Sequence, residues 1–263
     1  MFDPVAIRGR APLARANPVA KLAVASVIAI ALVLSVDVVT AGTALLLEVA
    51  LLPWCGLGPA DLLRRGWVLP LSAVPIAMAT AAFGLDSGRM LAALGPVTVT
   101  TGSLTAAAAI GLRILAIGLP GVVLLATTDP TDLADALGQV LRLPHRFVLA
   151  ALAALRLVGL LTEEWRSLTL ARRARGLGDG GVTGRLRTAF GQVFALLVLA
   201  IRRATVLATA MEARGFGLDA PRTWARPSRF GWRDGAVLAG GLLLAALATA
   251  AGVVAGTWHL LLI

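Results

Sequence analysis

"LTAAAAIGLRILAIGLPGVVLLAT", residues 104–127, is an apolar run interrupted by one charge, Arg113. At about 1.5 Å of rise per residue it extends about 36 Å as a helix, more than the roughly 30 Å of hydrocarbon in a bilayer. Three comparable runs precede it: Leu22–Val36, Val38–Leu52 with Glu48 inside it, and Trp67–Phe83. One more follows, Gly235–Trp258. The chain of 263 residues is 58% hydrophobic, only 14% charged and without tyrosine, and its mean hydropathy is +0.86. That is too little charge for the surface of a soluble domain. The composition predicts an all-α integral membrane protein of about five transmembrane helices. The basic residues ahead of the first run, Arg8, Arg10, Arg15 and Lys21, resemble the start of a signal peptide, but the further runs make that segment a retained first span. Between the third and fourth runs, "GPVTVTTGS" (95–103) alternates β-branched residues between turn formers and is expected to be a short non-helical excursion.

Arginine sets the orientation. It supplies 23 of the 24 basic residues, Lys21 being the lone lysine, in a chain of net charge +10. Residues 142–233 hold 16 arginines against five acidic residues. By the positive-inside rule the N-terminus, the 53–66 loop with Arg64 and Arg65, and everything from about residue 128 onward belong in the cytoplasm. Two apolar runs inside the basic stretch, Phe147–Leu161 and Val193–Ile201, are therefore expected to be parts of long amphipathic helices in or under the inner interface. The organisation that results is transmembrane helices over 1–127, a basic interfacial module over 128–233 and a final transmembrane helix over 234–263.

Both long helices of that module run into the same phrase, "ARGLG" at 174–178 and "ARGFG" at 213–217. Glycine after the last helical residue accepts a left-handed backbone without steric cost, so each helix is expected to stop there. Arg175 and Arg214 then sit at exposed helix ends. A cation there complements the terminal carbonyls, but dipole compensation does not require the order Ala-Arg-Gly, apolar, Gly twice. Arg172 and Arg173 extend the basic tip of the first helix, and Glu212, just before the second phrase, is expected to compensate Arg214 locally. Leu161, Trp165 and Leu168 fall at helical spacing, as a stripe that packs the first helix on the second or rests in the lipid interface.

This arrangement resembles the transmembrane T component of energy-coupling factor (ECF) importers. "LARANPVAKL" (13–22) is similar to the family's amino-terminal Asn/Asp-Pro phrase, Arg113 lies where the family carries an arginine in the fourth span, and "TTDPTDLADAL" (127–137) matches the phrase after it. The resemblance implies long cytoplasmic coupling helices and a non-catalytic scaffold in a bacterial or archaeal cell membrane. Its partners would be two ATP-binding-cassette (ABC) ATPase subunits, a small substrate-binding membrane protein and the lipid bilayer, with no nucleic acid. The coupling motifs Ala174, Arg175, Gly176 and Ala213, Arg214, Gly215 would enter one ATPase groove each. The resemblance also implies uptake of B-type vitamins or of transition-metal ions such as cobalt and nickel. No P-loop is present, since Lys21 follows "ANPVA" without the required glycines, so ATP and Mg²⁺ would be bound by the partners and this chain would hold no cofactor.

Two other chemistries compete. Asp129, Asp132 and Asp135 form a DxxDxxD pattern that suits a Mg²⁺-dependent membrane transferase, although Asp129-Pro130 also reads as a helix N-cap with proline in the first turn. Glu48 and Arg113, ionisable groups inside spans, read either as a tie between helices, a pair with each other included, or as the substrate path of a self-sufficient permease. Cys55 is the only cysteine and the two histidines, His145 and His259, are far apart, so no metal cluster is expected. In the last run Ala248, Gly252 and Gly256 form a small-residue face suited to close approach of another helix, internal or foreign.

Overall fold

A computed structural model describes residues 11–258 apart from 12, 36, 85–86, 95–96, 177–180, 217–223 and 225. The elements are α1 (Pro18–Leu34), α2 (Val38–Leu51), a 3-10 turn (Leu52–Cys55), α3 (Pro59–Gly66), α4 (Val68–Phe83), β1 (Met90–Leu94), β2 (Val97–Thr100), α5 (Thr101–Thr127), α6 (Pro130–Gln139), α7 (His145–Ala174), α8 (Gly181–Ala213) and α9 (Trp232–Val254). The protein is an all-α integral membrane protein carrying one small β-hairpin. Its chain divides into two compact units, Pro4–Ala136 with Ser228–Ile263, and Leu137–Pro227.

In the first unit α1, α2, α5 and α9 surround a core of Ile28, Leu32, Ala41, Ala44, Ala116, Leu244 and Ala248. Small residues dominate it because lipid tails are as apolar as leucine, so helices associate in a bilayer by close packing rather than by hiding grease from water. Outward faces carry Ile30, Leu46, Leu71, Met78, Leu125 and Leu243, all exposed. Such a belt is ordinary against lipid and untenable in water. By length and composition Val38–Cys55, Thr101–Thr127, Leu186–Ala213 and Trp232–Val254 are each able to cross a membrane. The Trp67–Phe83 run becomes α4, which follows the short basic α3 after a 59° bend. α1 is apolar but only 17 residues long, about 26 Å of helix.

Local chemistry explains the boundaries. Asn17, Asp37 and Thr100 cap α1, α2 and α5 through their side chains. Thr100 and Ser103 exchange side-chain and backbone bonds in a capping box, at 3.0 and 3.1 Å. The non-helical excursion expected over 95–103 is shifted toward the N-terminus: it includes β1, which pairs antiparallel with β2, Leu94 opposite Val97, and it ends before Thr101, where α5 begins.

Within the second unit α7 and α8 pack on each other. At the base of α7, His145 meets Trp224 edge-on with ring centroids 5.0 Å apart, and Gln139 Nε2 donates to the Arg226 carbonyl at 2.8 Å. The sequence reading made α8 an interfacial helix, whereas Leu186–Ala213, with mean hydropathy 1.9, also meets the length and composition of a span. Arg202 and Arg203 lie within it, and an arginine at a span's centre costs about 2.5–3.5 kcal/mol on insertion scales.

Candidate functional site

The two Ala-Arg-Gly phrases each end a helix at a glycine in the left-handed conformation. At the end of α7, Arg175 is the C-cap, Gly176 takes φ +71°, and the Gly176 N–H donates to the Arg173 carbonyl at 3.0 Å. At the end of α8, Gly215 takes φ +77°, its N–H donates to the Glu212 carbonyl at 2.9 Å, and the Phe216 N–H donates to the Met211 carbonyl at 2.9 Å. That pair of bonds is a Schellman cap, and it satisfies carbonyls the helix leaves open. Ala174 and Ala213 close the helices and add no bulk. The cap therefore fixes the backbone and leaves the arginine side chain unemployed. Arg175 and Arg214 are both exposed, and their guanidinium groups have no hydrogen-bond or ion-pair partner among the described residues. Glu212 does not pair with Arg214, against the expectation of local compensation. The ends of the two phrases, residues 177–178 and 217, lie outside the described residues.

Arg172 and Arg173, grouped together in the sequence, separate in space. Arg173 is exposed, whereas Arg172 turns onto α8 and donates through one guanidinium nitrogen to the Thr188 carbonyl at 2.6 Å. Leu161 and Leu168 are half-buried and Trp165 is exposed, and the ties between the two helices are polar: Gln192 Nε2 reaches the Trp165 carbonyl at 2.9 Å and Thr169 Oγ1 at 2.6 Å, and Arg203 pairs with Glu164.

The charges inside the spans are not partners. Glu48 is 5% exposed and neither carboxylate oxygen has a hydrogen-bond partner, so the expected tie to Arg113 is absent. The aspartate pattern does not converge either. Asp129 caps α6, accepting from the Thr131 N–H at 2.6 Å, Asp132 is exposed, and among the described residues no group of three or more His, Cys, Asp or Glu side chains is placed to hold a metal ion. On α9, Ala248 is a core residue and Gly252 sits so close to α2 that an added Cβ would lie 2.7 Å from Asp37 Oδ2, which makes this part of the small-residue face internal. Gly256, at φ +66°, has nothing near it.

A polar knot at one end of the membrane bundle was not anticipated. The Asn17 N–H donates to Asp234 Oδ1 at 2.6 Å, and its side-chain amide donates to Ser228 Oγ at 3.0 Å and the Arg229 carbonyl at 3.2 Å. The Lys21 ammonium donates to the Ala14 carbonyl at 2.9 Å, the Thr127 carbonyl and hydroxyl at 3.2 and 3.1 Å, and the Thr128 hydroxyl at 3.4 Å. The stretches 13–22 and 127–137 are thereby joined. Asn-Pro announces a cap in the sequence; nothing there announces its distant acceptors.

Comparison with known proteins follows the same lines. A family model described as CbiQ, cobalt transport protein, matches residues 9–223. The energy-coupling factor transporter transmembrane protein EcfT of Bacillus selenitireducens is 34% identical over 173 residues, 62% of this chain and 65% of that protein. EcfT of Limosilactobacillus fermentum is 31% identical over 66% of this chain and 67% of its own length. For EcfT of Brevibacillus brevis the figures are 31%, 75% and 74%. The chain thus aligns with just under two-thirds of the Bacillus selenitireducens protein. The family match takes in the first four spans, both long helices and both Ala-Arg-Gly ends, so the chain belongs to the CbiQ family and is a transmembrane T component of the ECF type.

Proposed function

We propose that this chain couples two ABC ATPase subunits to a separate substrate-binding membrane protein, with Arg175 engaging one ATPase and Arg214 the other. The observation that carries this reading is the duplicated cap, which spends backbone bonds to present two unpaired guanidinium groups. Arginine suits the task because its planar fork makes bidentate, charge-assisted bonds to carboxylates in a groove. The spacing supports two sockets rather than one. Arg172, three residues before the first tip, touches Thr188, and from Thr188 to Arg214 the α8 axis runs about 40 Å, beyond the roughly 30 Å diameter of a small domain.

The remaining assignments follow from charge and from what the chain lacks. The arginine excess of 142–233 argues for a cytoplasmic α7–α8 module and N-terminus in a bacterial or archaeal cell membrane. With no P-loop lysine in the sequence, ATP and Mg²⁺ belong to the partners and this chain is non-catalytic. The cargo, a B-type vitamin or a transition-metal ion, is chosen by the substrate-binding chain. ATP binding closes the ATPase pair, moves the two tips with their helices, and reorients that chain.

The test is a detergent pull-down of tagged wild-type protein and the Arg175→Glu/Arg214→Glu double variant from the native host, with co-eluting proteins identified by mass spectrometry. ABC ATPases and a small membrane protein are expected with the wild type, and the ATPases are expected to be lost from a variant that still inserts. ATPases absent from the wild type, or retained by the variant, would defeat the reading.

A further inference from the structure

We infer that Gln192 is a positioning residue, whose buried amide locks α7 to α8 in one register so that the two arginine tips move as a single body. The inference rests on the coupling reading above and deepens it. Gln192 is 4% exposed, and its amide nitrogen donates twice across the helix pair, to the Trp165 carbonyl and to Thr169 Oγ1. The Thr169 hydroxyl in turn donates to that same Trp165 carbonyl at 2.7 Å. Three groups thus satisfy one another, and a slip of one helical turn, about 5.4 Å, would leave a buried amide without acceptors. Leucine at this position would supply contact area but would tolerate the slip.

Two outer ties flank the amide. Arg172 donates to Thr188 O on one side, with its guanidinium lying where Gly191 carries no side chain: a Cβ there would be 3.4 Å from a guanidinium nitrogen. On the other side Arg203 pairs with Glu164, both about one-third exposed, a pair that adds little because water screens it. Rising positions on α7 (164, 165, 169, 172) meet falling ones on α8 (203, 192, 188), so the helices run antiparallel.

Arg175 is three residues past Arg172 and is therefore held to α8 by the clasp, while Arg214 is the end of α8 itself. In this arrangement α8 is the beam, both tips are fixed to it, and Arg172 belongs to the clasp rather than to the ATPase-facing surface. Fixing the span between two plugs raises the effective concentration of the second once the first has docked.

The experiment uses the full chain in the Cys55→Ser background, with spin labels at two exposed positions outside the clasp, Leu170→Cys (66% exposed) and Val206→Cys (65% exposed). Distance distributions are recorded alongside pull-down of the ATPases. Wild type and Thr169→Ser, which keeps the hydroxyl, should give one narrow distance. Gln192→Leu and the near-isosteric Thr169→Val should broaden it at least about twofold or shift it by about one helical turn, and should lower ATPase recovery about tenfold, an avidity loss. An unchanged distribution in both disrupting variants overturns the clasp. A broadened distribution with undiminished ATPase recovery overturns its positioning role. If the ATPases are absent from wild type, or stay with the Arg175→Glu/Arg214→Glu variant, the coupling reading itself fails and the positioning role falls with it, whatever the distances show.

Discussion

Removing the Asp234 carboxylate should uncouple the two ends of the chain that meet in the membrane bundle. Asp234 is 7% exposed. One of its oxygens accepts the Asn17 N–H at 2.6 Å, just ahead of α1, and the other accepts the Gly231 N–H at 2.8 Å, closing the N-terminus of α9. In Asp234→Ala both donors lose their acceptor. The buried Asn17 N–H costs about 1–3 kcal/mol when left unpaired, and loss of the cap on α9 adds about 0.5–1 kcal/mol, so the variant should be destabilised by about 1.5–4 kcal/mol. Asp234→Asn keeps a carbonyl oxygen for one donor and should lose about 1 kcal/mol. Unfolding of the purified protein by SDS titration from mixed micelles, followed by the fluorescence of its six tryptophans, measures both. Asn17→Ala separates the contributions, because the donor to Asp234 is the backbone N–H, which alanine retains. Its loss should be that of its own cap and of the bonds to Ser228 and Arg229, and it should add to the effect of Asp234→Ala. An Asp234→Ala variant within about 0.5 kcal/mol of wild type would refute the assignment of this contact as a structural tie.

Two further substitutions test the packing. Gly252→Ala would place a methyl group 2.7 Å from Asp37 Oδ2 and in overlap with Thr40, and should destabilise by about 1–3 kcal/mol in the same assay; Gly240→Ala, with nothing within 4 Å, should be neutral or stabilising by up to about 1 kcal/mol. Lys21→Met removes the donor shared by Ala14, Thr127 and Thr128 and should cost about 1–3 kcal/mol, with Lys21→Arg failing to rescue because a planar guanidinium does not reproduce the compact ammonium; equal stability of all three proteins would show that the cradle contributes nothing.

The sequence by itself determined the membrane class, the approximate spans, and the ends of α7 and α8. These depend on signals that act within a turn or a window: hydropathy against hydrocarbon thickness, and a glycine whose missing Cβ permits a left-handed cap. The duplicated phrase was legible for the same reason, since Arg175 and Arg214 reach solvent by virtue of ending a helix. Tertiary structure alone decided which polar groups meet. Arg172 and Arg173 are neighbours in sequence, yet a rotation of about 100° per residue around the helix turns one onto α8 and the other into solvent. Glu48 and Arg113 suggested a pair because both are charges in spans, but the packed helices leave both Glu48 oxygens without a partner. Gln192, an unremarkable letter in an apolar stretch, became a buried clasp because α7 brought a carbonyl and a hydroxyl to it. The small-residue face of α9 suited close approach of a helix, internal or foreign, and α2 fills it at Gly252. In each case the sequence named the functional group, and the packing of distant helices, which no local pattern encodes, chose its partner.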